Sequence, residues 1–296
     1  EERMFRTGQL DKTESLPLTK IAVYRRDFPA MYREDPFYGV YFYRVNVTRP
    51  PLNDVRVRRA LAIAIDREAI VRDILHGGQQ PAWNFTPPSP GFTSAAHISG
   101  DLDEARRLLA EAGYPGGKNF PHVELLYNTS ESHRTIAEAV QQMWKARLGV
   151  NITLQNQEWK VYLDSQNTGN YQLARAGWIG DYPDPSTFLD MWMTGAGNNL
   201  VGFSNPQFDD LMKKAAAELD NQKRLDLYDQ GQKLMLDNAP IVPLYNRVSY
   251  TLTKPNVKNL VITGIDGAIK GDYNLWQTYI AAPGSNRAAL VAPMTG

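Results

Sequence analysis

The 296-residue sequence contains no cysteine. That excludes disulfides, a thiolate nucleophile and zinc or iron–sulfur sites built on cysteine. It is compatible with an oxidising compartment without fixing one. Neither charge is in surplus, with 32 Lys and Arg against 32 Asp and Glu. A nucleic-acid binder would carry a basic excess, so nothing points to a polyanionic partner. No apolar run approaches the roughly 20 residues of a membrane helix. Histidine is scarce. His76, His97, His122 and His133 are all there is, and no two stand three or four apart. A histidine metal site would have to be assembled by tertiary folding alone.

The familiar catalytic signatures are missing too. There is no nucleophile elbow, phosphate-cradling loop or paired-histidine zinc helix. The stretch "TGAGNNLVG" has glycines without dinucleotide spacing. Asp181 and Asp184 could form a carboxylate pair for acid–base hydrolysis. The simpler reading, preferred for Asp184, is that both cap turns beside Pro183 and Pro185. What the chain does have is aromatic side chains, with 6 Trp and 15 Tyr. Aromatics with a few placed polar groups build ligand clefts. Others are core, as expected for Trp144 on the apolar side of an amphipathic helix.

The pattern along the chain reads as α/β with mixed strand directions. "FYGVYFYRVNV" (37–47) is a strand. Asn53 or Asp54 then caps one helix running to Gly77 and Gly78. "QQPAWNFTPPSPGF" (79–92) is a loop and 100–117 a capped helix. "HVELLYNTS" (122–130), a long amphipathic helix stopped by Gly149, and "VNITLQNQEW" (150–159) make strand–helix–strand with a crossover long enough for a parallel pair. "YQLARAGWIG" (171–180) is a strand. Helices follow near 205–219 and 221–238, then a strand pair over 240–253. The end should fray. The polar opening "EERMFRTGQLDKTE" has no initiator Met and reads as the interior of a longer chain.

The segments "PPLNDVRVRRALAIAIDREAIV", "PAWNFTPP", "ARRLLAEAGY", "LLYNTSESH", "GVNITLQNQEW", "ARAGWIGDYPDPSTFLDMW" and "APIVPLYNRVSYTLTKPNVKNL" occur in an informative order and spacing. In both, the chain resembles the oligopeptide-binding proteins of ABC importers. These are large extracytoplasmic solute-binding proteins that include dipeptide, nickel and murein-tripeptide binders. The resemblance covers roughly 1–280 and implies the C-terminal portion of such a protein, of periplasmic-binding-protein type II-like fold. It implies a complete second lobe over 47–252, with 1–46 and 253–283 as a remnant of the first lobe with its hinge strands. A tail follows over 284–296.

The resemblance also implies roles. Asp181 would pair with a peptide's α-ammonium. Arg175 and His133 would be cations for the peptide C-terminus. Gly177 and Ile179 would pair through the backbone, and Trp159, Trp178, Asn128, Tyr182 and Arg44 would line pockets. Arg175 and Asp181 lie about 20 Å apart along an extended strand, so they suit opposite ends of a ligand better than each other. Two positions depart from the family. Members often carry an acid at the place of Arg44 and an arginine at that of Gln166. An acidic ligand side chain, as in a murein-type peptide, would suit Arg44, unless Arg44 points to solvent. The implied protein is periplasmic or otherwise extracytoplasmic, monomeric, free of cofactor and metal, and partnered by short peptides and permease subunits. The alternatives are the Asp181/Asp184 hydrolase and a scaffold that binds nothing tightly.

Overall fold

The computed structural model describes residues 1–89, 91–264 and 275–282. The frayed end expected over 284–296 lies outside them. The chain divides into two compact units, Glu1–Asp35 with Ser249–Gly296, and Pro36–Val248.

The first unit holds α1 (Glu2–Arg6) and α2 (Leu18–Asp27). Phe5, Leu16, Ile21 and Tyr24 pack there against Leu252. Thr13 ties this cluster down by accepting the Leu252 N–H on its hydroxyl at 2.9 Å while its own N–H reaches the Leu252 carbonyl at 2.9 Å.

The second unit is built on a mixed sheet. Its elements in chain order are β1 (Tyr32–Val45, part of this unit from Pro36 on), α3 (Val55–Ile63), α4 (Arg67–Leu75, its second half wound wider), β2 (Gln80–Pro81) and α5 (Leu102–Glu111). Then come β3 (Glu124–Asn128), α6 (Glu131–Leu148), β4 (Thr153–Gln157), α7 (Trp159–Asn167) and β5 (Leu173–Ile179). The unit closes with α8 (Ser186–Leu189), α9 (Pro206–Ala217), α10 (Asn221–Asn238) and, as far as Val248, β6 (Ile241–Leu252). The strand order is β2-β6-β1-β5-β3-β4. β3 runs parallel to β4 and β5, and β1 antiparallel to β5. The parallel β3–α6–β4 crossover is the one read from the sequence.

Several elements differ from the sequence reading. The helix expected from Asp54 to Gly78 is two helices. Asp54 does cap the first, accepting the Arg56 N–H. Asp66, however, opens a second by accepting the Ala69 N–H at 2.9 Å. A short acidic side chain mid-pattern offers the backbone this alternative to continuing the helix. Arg147 of α6 pairs with the same carboxylate at 2.6 Å and fixes the break in place. The second helix ends on a wide turn, His76 N–H to Val71 carbonyl, with His76 itself left-handed at φ 54°. The supposed strand pair over 240–253 is one strand, because sheet neighbours on both sides hold Pro243 and Asn246 extended. α7 was not anticipated, and β2 lies within the expected loop.

Side chains alternate across β1, and the two faces differ in kind. Val40 and Phe42 are fully buried on one face. Phe42 meets Phe85 and Trp192 edge-on at 4.9 and 6.0 Å, a core of aromatic T-contacts. The other face carries Tyr41 and Tyr43, and Tyr41 stacks on Tyr245 at 4.8 Å. Trp144, fully buried, donates its indole N–H to the Leu61 carbonyl at 2.8 Å, in keeping with a core role.

Candidate functional site

The register of β1 against β5 decides which backbone groups of β5 are free. The Gly180 N–H donates to the Tyr38 carbonyl at 2.8 Å, and the Asn46 N–H to the Gln172 carbonyl at 2.9 Å. Both contacts continue the pairing Gly39↔Ile179 through Val45↔Leu173. In an antiparallel ladder alternate positions exchange hydrogen bonds. Even-numbered residues of β5 therefore face β1, and Arg175, Gly177 and Ile179 turn their N–H and C=O to the opposite edge. β3 covers that edge only at Leu173 and Ala174. The Arg175 carbonyl accepts the hydroxyl of Tyr162, from α7. Among the described residues, no strand pairs with the edge at Gly177 and Ile179.

Gly177 is exposed, and the chain's own packing leaves room there. A Cβ would meet only the Val40 carbonyl at 3.5 Å and the Arg175 guanidinium at 3.8 Å. Gly180 is different: a Cβ there would lie 2.5 Å from the Tyr38 ring, so packing alone demands glycine.

Past the end of β5 the chain turns through Asp181. This carboxylate is exposed and accepts the Thr187 hydroxyl at 3.2 Å. The Trp178 indole donates to the Thr187 carbonyl at 2.7 Å. Tyr182 is exposed and accepts the Ser186 hydroxyl at 3.1 Å. Asp184 caps Ser186 and is gripped by Arg224 at 2.6 and 3.1 Å. Burial would raise its carboxyl, but Arg224 and the Ser186 bonds bring it below the usual carboxylate range. Asp184 is thus committed to structure, as preferred from the sequence, and offers no free second carboxylate for hydrolysis. Behind it, burial and the charge of Asp184 push Asp190 up to about 6.

At the other end a basic cluster gathers on the tyrosine face. The Arg175 guanidinium lies over the Tyr41 ring at 5.0 Å and donates to Asn128 at 3.3 Å, while its Nε is buried without a partner. His133, at the start of α6, sits 3.3 Å from the Tyr41 hydroxyl. At His133 burial first, then the charges of Arg175 and Arg247, lower the imidazole to about 3, which favours its neutral, hydrogen-bonding form beside the guanidinium. Arg247 itself lies over Phe37 at 4.7 Å. Among the described residues no acid pairs with Arg175, which leaves a local positive potential suited to a carboxylate.

Arg44 faces the other side of the sheet. It is only 7% exposed, which rules out the solvent-pointing alternative. It donates to the Asn198 carbonyl at 3.0 Å, lies 5.9 Å from the Trp192 ring centre, and leaves its Nε without a partner. Elsewhere in the unit a polar cleft of about 560 Å³ has Asn46, Arg49, Gln166 and Asn199 in its wall and no acidic side chain. Trp159 is half exposed and stacks on Tyr162 at 5.7 Å.

Arg175, Asn128 and His133 are thus brought together, as are Asp181, Trp178 and Tyr182. Arg44 stands apart from both groups. Sequence reasoning missed Tyr41, Tyr162, Thr187 and Arg247. Only the tyrosine-rich β1 hinted at the first.

Residues 2–200 match the model of the bacterial extracellular solute-binding proteins, family 5 (middle). The chain belongs to that family. The family 5 relatives include the Escherichia coli periplasmic murein peptide-binding protein MppA, 39% identical over 88% of this chain and 50% of that protein. The Salmonella typhimurium periplasmic oligopeptide-binding protein OppA is 37% identical over 85% and 48%. The E. coli MppA structure superposes with a TM-score of 0.81 at 40% identity, covering 87% of this chain and 52% of that one. Haemophilus influenzae OppA, solved with the peptide RPPGFSPFR, gives 0.82 at 31% identity, covering 95% and 56%. The fold is therefore that of the family 5 periplasmic binding proteins. The chain spans about half the length of the curated relatives it matches. Among the described residues no helix is long and apolar enough to cross a membrane.

Proposed function

We propose that this chain is part of the solute-binding component of an ABC importer and grips short peptides in the periplasm or another extracytoplasmic space. One observation carries the reading: the backbone edge of β5 stands open at Gly177 and Ile179, with the Asp181 carboxylate beyond one end and the basic Arg175 cluster at the other. An extended peptide adding to that edge would be held by main-chain bonds that ignore its sequence. Its α-ammonium would pair with Asp181 and its carboxylate with Arg175, with neutral His133 and Asn128 as hydrogen-bonding neighbours. Trp178, Tyr182 and Trp159 would wall side-chain pockets, and Arg44 would favour an acidic ligand side chain. The relatives' binding of oligopeptides and murein peptides supports this assignment. No chemistry is needed for capture, and the partners would be permease subunits.

On this reading the unit Pro36–Val248 corresponds to the lobe expected over 47–252, and the flanking segments to a remnant of the first lobe with its hinge strands. Asp181→Asn should weaken binding of trialanine about tenfold or more while leaving N-acetyl-trialanine within about twofold. Calorimetry that finds equal losses for the two peptides sinks the assignment.

A further inference from the structure

We infer that Thr187 is the positioning residue that presents Asp181 and Trp178 to a ligand as one unit, and so sets how tightly a free α-ammonium is held. The inference rests on the assignment of Asp181 to the ligand ammonium.

Thr187 is 6% exposed, although Asp181, Tyr182 and Pro183, a few residues before it, are exposed. Its hydroxyl makes two contacts with one residue. It accepts the Asp181 N–H at 3.1 Å and lies 3.2 Å from Asp181 Oδ2. The N–H occupies a lone pair of the hydroxyl, so the hydroxyl proton is free to go to the carboxylate. The carbonyl of the same residue accepts the Trp178 indole N–H at 2.7 Å. A carboxylate and an aromatic wall, on either side of Gly180, therefore hang on one threonine.

The need for such a residue follows from the exposure of Asp181. A free carboxylate on a turn samples several rotamers, and binding a ligand through it costs the entropy of choosing one. Thr187 makes the choice beforehand. It holds Oδ2 and leaves Oδ1 uncommitted among the described residues. Thr187 is itself held from behind, because the Ser186 N–H is capped by Asp184 and Asp184 is gripped by Arg224. The chain of contacts runs from α10 through Arg224, Asp184 and the start of α8 to the carboxylate. Valine has the shape of threonine without the hydroxyl. Serine has the hydroxyl without the methyl.

The test titrates trialanine and N-acetyl-trialanine into the 296-residue chain and its Thr187→Val, Thr187→Ser and Asp181→Asn variants, read by calorimetry. Thr187→Val should weaken trialanine about tenfold and N-acetyl-trialanine less than about twofold. Thr187→Ser should return trialanine to within about threefold of the starting chain, a rescue that a merely space-filling role would not give. Equal losses of both peptides in Thr187→Val, or a Thr187→Ser as weak as Thr187→Val, overturn the inference. Should Asp181→Asn separate the two peptides while Thr187→Val does not, Thr187 alone loses its role. Should Asp181→Asn fail to separate them, or trialanine not bind the starting chain, the ammonium assignment falls and takes the inference with it.

Discussion

His133 gives a prediction whose size follows from its surroundings. Its imidazole is held at about 3 by burial and by Arg175 and Arg247, whereas an unfolded histidine titrates near about 6.5. Between those values the unfolded chain takes up a proton that the folded chain refuses. Stability is therefore complete above about pH 7 and falls as the pH drops through about 6.5. At about pH 5 the gap spans roughly 1.5 pH units, or about 2 kcal/mol at about 1.4 kcal/mol per unit. His133→Gln removes the titrating group and keeps a hydrogen-bonding side chain. Urea unfolding of both proteins at about pH 8 and about pH 5 reads the difference. The original chain should lose about 2 kcal/mol more than the variant across that interval. Carboxylates elsewhere also respond to acid, and Asp190 acts with the opposite sign, but both are shared by the two proteins and cancel. Equal losses would show that the imidazole is not held neutral, and the desolvation argument for the basic cluster would fail with it.

Asp190 should behave the other way. Its carboxyl is raised to about 6, so its ionised form costs stability above that pH and the cost is relieved on acidification. Asp190→Asn should add about 1–2 kcal/mol at about pH 8 and little at about pH 4.5 in the same urea assay. Gly177→Ala should leave stability within about 0.5 kcal/mol, since the chain has room for the methyl, yet weaken trialanine about tenfold by keeping a ligand strand at a distance. A variant that binds as before would show that no backbone approaches there. Arg44→Gln should erase a preference of about tenfold for Ala-Glu-Ala over Ala-Lys-Ala, measured by competition. No such preference in the unaltered chain would mean that Arg44 serves packing only.

The elements legible in the sequence were those whose signals are local. Asp54 and Gly149 mark helix ends by their own chemistry, and β3–α6–β4 announces itself by a change of hydrophobic period. What stayed hidden depends on partners distant in sequence. Asp66 breaks a periodic pattern because Arg147, eighty-one residues later, holds its carboxylate. α7 follows directly on a strand-like segment and leaves Trp159, Val161 and Leu163 exposed at positions that do not share one face, so no clean polar–apolar pattern betrays it. The site shows the same division. Arg175, Asp181 and Trp178 stand in one short segment and drew attention at once. The charge state of His133 and the burial of Arg44 could not be read from it, because each is set by residues from several strands and helices. Thr187 carries no local signal in the sequence, because its role depends on Asp181 and Trp178.

The hydroxyl of Tyr162 that caps the Arg175 carbonyl has a bearing on aggregation and on ligand length. An uncovered strand edge is a template on which another chain can grow. Here the cap at Arg175, with β3 before it, shortens the open stretch to Gly177 and Ile179, which between them offer two N–H donors and two C=O acceptors. So short an edge is a poor template for pairing between copies of the molecule. Its few bonds also place a ceiling on what any docked backbone can gain. Lengthening a peptide beyond the span of those two residues adds no further main-chain bonds to β5, so affinity should level off with length instead of climbing residue by residue.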